Sequence, residues 1–158
     1  MNSSLDEQVA LHLAQRKRSL TRLLGLLKKD MDCRIVEKLQ QKGYNNFKLG
    51  DLVVFINIQP EGIINNELAK KARITKQAMS KVVKYLESEG YISTTKHAVD
   101  NRAILISLTD NGKKLLIAAF ETFEEIQAEY TAIIGDSDAA ALRQVLGKLL
   151  FSLHPELA

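Results

Sequence analysis

The chain is poor in the residues that build scaffolds other than a hydrophobic core. Its single cysteine, Cys33, excludes an intramolecular disulfide framework and any zinc site made from paired cysteines. Uninterrupted apolar stretches such as Leu52 to Ile56 fall far short of the roughly 20 residues that a membrane-spanning helix needs, so no membrane partner is expected. No signal-peptide core opens the sequence, and the expected location is the cytoplasm. A Gly-rich phosphate loop, a nucleophile elbow, a metal-ligand histidine pair and a paired Cys and His are all missing, so neither enzyme activity nor a cofactor is expected. His12, His97 and His154 stand far apart without ligand spacing, which argues against a metal site.

What is present is ordinary globular material. Apolar residues make up 46% and charged residues 26% of the 158 positions, enough for one core and too little chain for two ordinary domains. The net charge of +3 matters less than where the charges lie. Between Lys70 and Leu86 stand Lys70, Lys71, Arg73, Lys76, Lys81 and Lys84 with no acidic residue among them. Between Leu115 and Leu142 the sign reverses, with Glu121, Glu124, Glu125, Glu129, Asp136 and Asp138 and no Lys or Arg. On charge alone, the basic run fits either a solvated helix face or a surface for a polyanion.

Periodicity places these runs on elements. Leu5, Val9, Leu13, Leu20, Leu23, Leu24, Leu27, Met31 and Ile35 keep helical spacing and predict one long or kinked helix to about Leu39, ended by Gly43. Leu49 to Ile56 predicts a short helix, because Pro60 and Gly62 stop it. Asn65 or Asn66 is the expected cap of another, Glu67 to Ala72, followed by a turn at Arg73 and Ile74. Thr75 then caps a helix reaching Glu89 in which Met79, Val82, Val83 and Leu86 form a buried stripe. Its opposite face carries Lys76, Gln77, Ser80, Lys81 and Lys84, and Gly90 ends it. Tyr91 to His97 and Ala103 to Leu108 read as two strands of a hairpin whose turn holds Asp100 and whose rim holds Arg102.

Two short helices about a tight turn, followed by a hairpin, is the order of a winged helix-turn-helix, so the expected class is mainly α with a small β-hairpin wing. A major groove about 12 Å wide admits one helix. On the helix capped by Thr75, Gln77 and Ser80 are the expected readers of base edges. Lys76, Lys81 and Lys84 are the expected phosphate contacts. In the hairpin, Arg102, held by Asp100, is suited to a minor groove, and Lys96 and His97 flank the same tip.

These residues carry a family resemblance. Asn66-Glu67-Leu68-Ala69, Leu86-Glu87-Ser88-Glu89-Gly90-Tyr91-Ile92, and Asp100-Asn101-Arg102 through Leu108-Thr109-Asp110-Asn111-Gly112 resemble the MarR (multiple-antibiotic-resistance regulator) family of bacterial transcription factors. The resemblance implies a homodimer on double-stranded DNA, with residues 48–109 as the DNA-binding lobe. Residues 1–42 and 110–158 then supply interlocking helices for the dimer and its link to the lobe. Leu142, Val145, Leu146, Leu149, Leu150 and Leu153 repeat at helical spacing on a wide apolar stripe, and with Leu5, Val9 and Leu13 they are the expected dimer face. A small phenolic or carboxylate effector, bound between the dimer helices and the lobe, is implied by the resemblance alone. Two other readings stay open here: a winged helix used to bind proteins, and a regulator whose Cys33 thiol senses oxidants.

Overall fold

The computed structural model of the chain describes residues 4–96 and 103–157. Helices α1 (Leu5–Arg16), α2 (Leu20–Gln41) and α3 (Leu49–Phe55) are followed by the short strand β1 (Ile63–Ile64). Helices α4 (Asn65–Lys71) and α5 (Lys76–Ser88), strands β2 (Ile92–Lys96) and β3 (Ile104–Leu108), and helices α6 (Asp110–Ile134) and α7 (Asp136–Leu153) complete the order. A 3-10 turn at Pro155–Leu157 follows. The sheet is antiparallel in the order β1-β3-β2, with Ile63 opposite Ile106 and Ile92 opposite Leu108.

Three expectations change. The N-terminal helix is two helices, because Ser19 adopts an extended backbone, donates its hydroxyl to Arg16 O and accepts from Arg22 N to cap α2. The leucines on both sides of this turn share one helical phase, which hides the break from periodicity. Helix α4 begins at Asn65 with Ile64 as its cap residue and no side-chain cap bond. Neither asparagine caps it; Ile63 and Ile64 are held instead by pairing with β3, which adds a third strand to the expected hairpin.

The core gathers Leu39 of α2, Phe55 of α3, Leu68 of α4, Met79 and Leu86 of α5, Ile106 of β3 and Leu115 of α6, each at most 1% exposed. Side chains of this size contribute about 1.5–3 kcal/mol each when fully buried. The lobe is joined to α6 at a close contact. Thr109 caps α6 by accepting from Gly112 N at 3.1 Å, while its hydroxyl donates to Gly90 O at 2.6 Å.

An ion ladder sets the register of α2 against α6. Arg34, Lys38 and Lys42 are four residues apart on α2, as are Glu129, Glu125 and Glu121 on α6. Arg34 Nη1 lies 2.9 Å from Glu129, Lys38 Nζ 3.1 Å from Glu125 and 2.9 Å from Glu129, and Lys42 Nζ 3.0 Å from Glu125 and 3.3 Å from Glu121. Tyr130 extends it by donating to Asp30 at 2.8 Å, and Asp30 also accepts from Arg34 Nε at 2.7 Å. The pairs are partly solvated, so alignment is their main effect and stability a lesser one. Hydrogen bonds from Lys42 hold Glu125 below the ordinary carboxylate range, and those from Lys38 do the same for Glu129. What these carboxylates add to stability is present above that range and lost as pH falls through their lowered values.

Asp51, in the first turn of α3, has the opposite sign. It is buried, and its Oδ2 finds no hydrogen-bond partner among the described residues. Desolvation pushes its pKa up against the pull of Lys48. With a folded value above the unfolded one, its ionisation costs the fold stability as pH rises toward neutral, and protonation in acid restores it. Asp51→Asn keeps the shape and removes the charge. The unfolding midpoint should therefore rise at pH 7 by about 2–4 °C, the shift that about 1 kcal/mol gives a chain of this length. The gain over wild type should shrink as pH falls through the raised value of Asp51, and calorimetry at pH 7 and across the acid range checks it.

Candidate nucleic-acid interface

The face of α5 follows from its burial. Met79, Val83 and Leu86 are buried and Val82 half-buried, so one side of the helix is committed to the core. Thr75 starts the helix where expected, accepting from Ala78 N at 3.2 Å. Thr75, Lys76, Gln77, Ser80, Lys81 and Lys84 are then all exposed on the outer side. Ser80 donates its hydroxyl to Lys76 O at 3.0 Å and keeps its lone pairs as acceptors. Among the described residues, no carboxylate lies within ion-pair distance of Lys76, Lys81 or Lys84. Three cations and an amide thus share one convex surface without internal compensation.

Other predicted residues are distributed differently. Lys70 and Lys71 are exposed at the end of α4. Arg73 leaves the basic group: its backbone takes a φ of 53°, and its Nη2 lies 2.7 Å from Glu156 Oε1 in the C-terminal turn. Lys96 ends β2 and is exposed, whereas His97, Asp100 and Arg102 lie outside the described residues.

Sequence reading passed over the supports of this surface. Tyr85, on the flank of α5, donates its hydroxyl to Asn46 O, and the Lys48 ammonium sits 4.7 Å from the centre of its ring. Glu87, near the end of α5, accepts from both donors of Thr94 on β2. Tyr85 reads in the sequence as an aromatic residue on a helix flank and Glu87 as part of the stretch that carries the resemblance, while their partners Asn46 and Thr94 are set by the fold.

The N- and C-terminal helices leave apolar surface uncovered. Leu5, Val9 and Leu13 on α1, and Leu142, Val145, Leu146, Leu149, Leu150 and Leu153 on α7, are between 38% and 79% exposed. Helix α1 has no buried residue and α7 only Ala139, so much of this apolar surface stays uncovered within the chain. A cleft of about 510 Å³ opens between α2, α3, α6 and α7, lined by apolar groups such as Met31, Ile35, Leu52, Phe123 and Ile126. The polar groups at its edge are mostly engaged: Lys28 pairs with Asp32, and Thr131 donates to Gln127 O. Arg143, also at the edge, has no carboxylate partner among the described residues. Cys33 is exposed on α2 as a free thiol, and no group of metal-ligating side chains occurs among the described residues. Among them, too, no helix is long and apolar enough to cross a membrane.

A short helix, a tight turn, a helix with a cationic outer face and a three-stranded sheet define a winged helix-turn-helix protein. Residues 55–104 match the model of the MarR family. An HTH-type transcriptional regulator of Mycobacterium bovis is 25% identical over 129 residues, 78% of this chain and 90% of that one. YdgJ of Bacillus subtilis, also named an HTH-type transcriptional regulator, is 30% identical over 87 residues, 55% of this chain and 53% of its own. Among solved structures, the reduced form of MarR from E. coli superposes with a TM-score of 0.72 at 22% identity, over 84% of this chain and 96% of that one. The S. aureus MepR–DNA complex gives 0.70 at 23% identity, over 86% and 99%. These likenesses show the fold. Over residues 55–104 the chain is similar to the MarR family, and the relatives it matches over most of their length are named HTH-type transcriptional regulators.

The joint between the lobe and α6 leaves no room for a side chain at Gly112. A Cβ on Gly112 would stand 2.0 Å from Tyr91 O, a backbone atom that cannot give way cheaply. Gly112→Ala should destabilise the fold by about 3 kcal/mol as the α6 start is forced off the turn. Urea unfolding measures it, and an unchanged midpoint would show that the contact is not close.

Proposed function

We propose that the chain binds double-stranded DNA as a homodimer, with α5 of each protomer in a major groove, and that it reads a pseudo-palindromic operator. The observation that carries this reading is the outer face of α5, where Lys76, Lys81 and Lys84 surround Gln77 and Ser80 without an ion-pair partner among the described residues. Gln77 and Ser80, near the helix start, are the readers; the lysines contact phosphates, which gives affinity without sequence information. Lys96, and from the sequence His97, Asp100 and Arg102, add the wing contact. MepR of S. aureus, of the same fold, is known bound to DNA, which supports the assignment.

The uncovered faces of α1 and α7 support the dimer, since one recognition helix alone buries too little for typical specific affinity. Two-fold pairing then sets half-sites one helical turn apart. The cleft between α2, α3, α6 and α7 is the proposed effector site, and Arg143 at its edge, without a carboxylate partner among the described residues, favours a small aromatic acid or other apolar anion. An effector wedged there separates the dimer helices from the lobe and releases the operator.

One binding experiment tests the reading. Duplexes selected by the chain from a randomised pool, and a mixed-sequence control, are titrated across salt. Affinity should fall about a thousandfold between about 50 and 200 mM salt, as roughly six displaced counterions require. Gln77→Ala should cost about 1–3 kcal/mol on the selected duplex and little on the control, whereas Lys84→Ala should weaken both alike. Leu149→Glu should give monomers by light scattering and lose the selected duplex. A chain that binds neither duplex at low salt contradicts the proposal and leaves a protein-binding module.

A further inference from the structure

We infer that Glu87 is a positioning residue for the wing: its carboxylate latches β2 to the recognition helix and so sets where the wing stands relative to the DNA-reading face. The inference rests on the DNA-binding reading above. One oxygen of Glu87, Oε1, accepts from the backbone N–H of Thr94 at 3.1 Å and from the Thr94 hydroxyl at 2.6 Å. Two donors converging on one charged acceptor make a stronger tie than a neutral hydrogen bond. Thr94 is the middle residue of β2, and among the described residues β2 lies at the sheet edge, paired with β3 alone. An edge N–H that would otherwise face water or another chain is given to the helix instead.

Neither side chain serves the core, since Glu87 is exposed and Thr94 half-buried. Nor does charge explain Glu87: an anion on the helix that carries Lys81 and Lys84 weakens attraction for a polyanion. What it supplies is geometry. The wing's roots, at Gly90 and Thr109, are already tied by the 2.6 Å hydrogen bond between them. The hairpin is further held where Ile92 and Ile106 enter the core and where β3 pairs with β1, and the latch at Thr94 adds a tie from the edge strand to α5. Lys96 lies two residues further along β2, about 7 Å beyond the latch at the usual rise of a strand. Its ammonium is therefore aimed by Glu87 without touching it.

The test uses the full chain and the duplex it selects from a randomised pool, with binding followed by fluorescence anisotropy below each variant's unfolding midpoint. Glu87→Ala and Thr94→Val should each weaken binding about tenfold, whereas Glu87→Gln, whose amide oxygen still accepts, should restore it to within about twofold of wild type. Lys96→Ala should cost about threefold to fivefold in the wild-type background and almost nothing beside Glu87→Ala, because an unlatched wing no longer aims the ammonium. The latch is overturned if Glu87→Ala binds like wild type, if Glu87→Gln is as weak as Glu87→Ala, or if the Lys96 and Glu87 losses simply add. A wild-type chain that selects no duplex fails the DNA-binding reading itself, and the latch with it. A wild type that binds tightly beside an unaffected Glu87→Ala fails the latch alone.

Discussion

The burial of Met79, Val83 and Leu86 against the lobe core is the contact on which the rest depends. A helix has only two sides to offer, and committing these three positions inward leaves Lys76, Gln77, Ser80, Lys81 and Lys84 no direction but outward. Hydrophobic burial thereby aims a set of polar groups outward. Everything adjoining α5 reinforces that aim. Thr75 fixes its start, Tyr85 ties its flank to the loop before α3, and Glu87 reaches across to β2.

The lobe is mounted on the long helices through few, stiff connections. Thr109 and Gly112 press the start of α6 against the turn at Gly90 and Tyr91, with no room for a methyl group between them. Farther along α6, the ladder from Glu121 to Glu129 locks it to α2 in one register. Arg73 supplies a third tie, running from the helix-turn-helix turn to Glu156 beyond α7. The cleft lies between these mounts, bounded by α3 on the lobe side and by α2, α6 and α7 on the other. Under the proposed function, spreading its walls changes the separation of the two recognition helices, and half-site spacing converts that change into lost affinity.

Helix α5 was legible because its information is local. Spacing gave the stripe at Met79, Val83 and Leu86, and a hydroxyl residue ahead of it gave the cap at Thr75. What escaped was set by distant partners. Ile63 and Ile64 become a strand only because Ile106 and Leu105 lie opposite them, and two residues carry no period of their own. Arg73 sits in a basic run by sequence and is taken out of it by a carboxylate 83 residues later. The acidic run of α6 was visible as a change of sign, yet its function as the partner of Arg34, Lys38 and Lys42 depends on how α2 and α6 pack. The turn at Ser19 was hidden by leucines that keep phase across it.

The central claim is that the cationic face of α5 lies in a major groove, one helix per half-site. Dimethyl sulfate distinguishes the grooves, since guanine N7 faces the major groove and adenine N3 the minor. On the selected duplex the account predicts protection of guanine N7 in two patches about one helical turn apart, about 10–10.5 base pairs centre to centre. Guanine N7 left fully reactive, with protection confined to adenine N3, would contradict it.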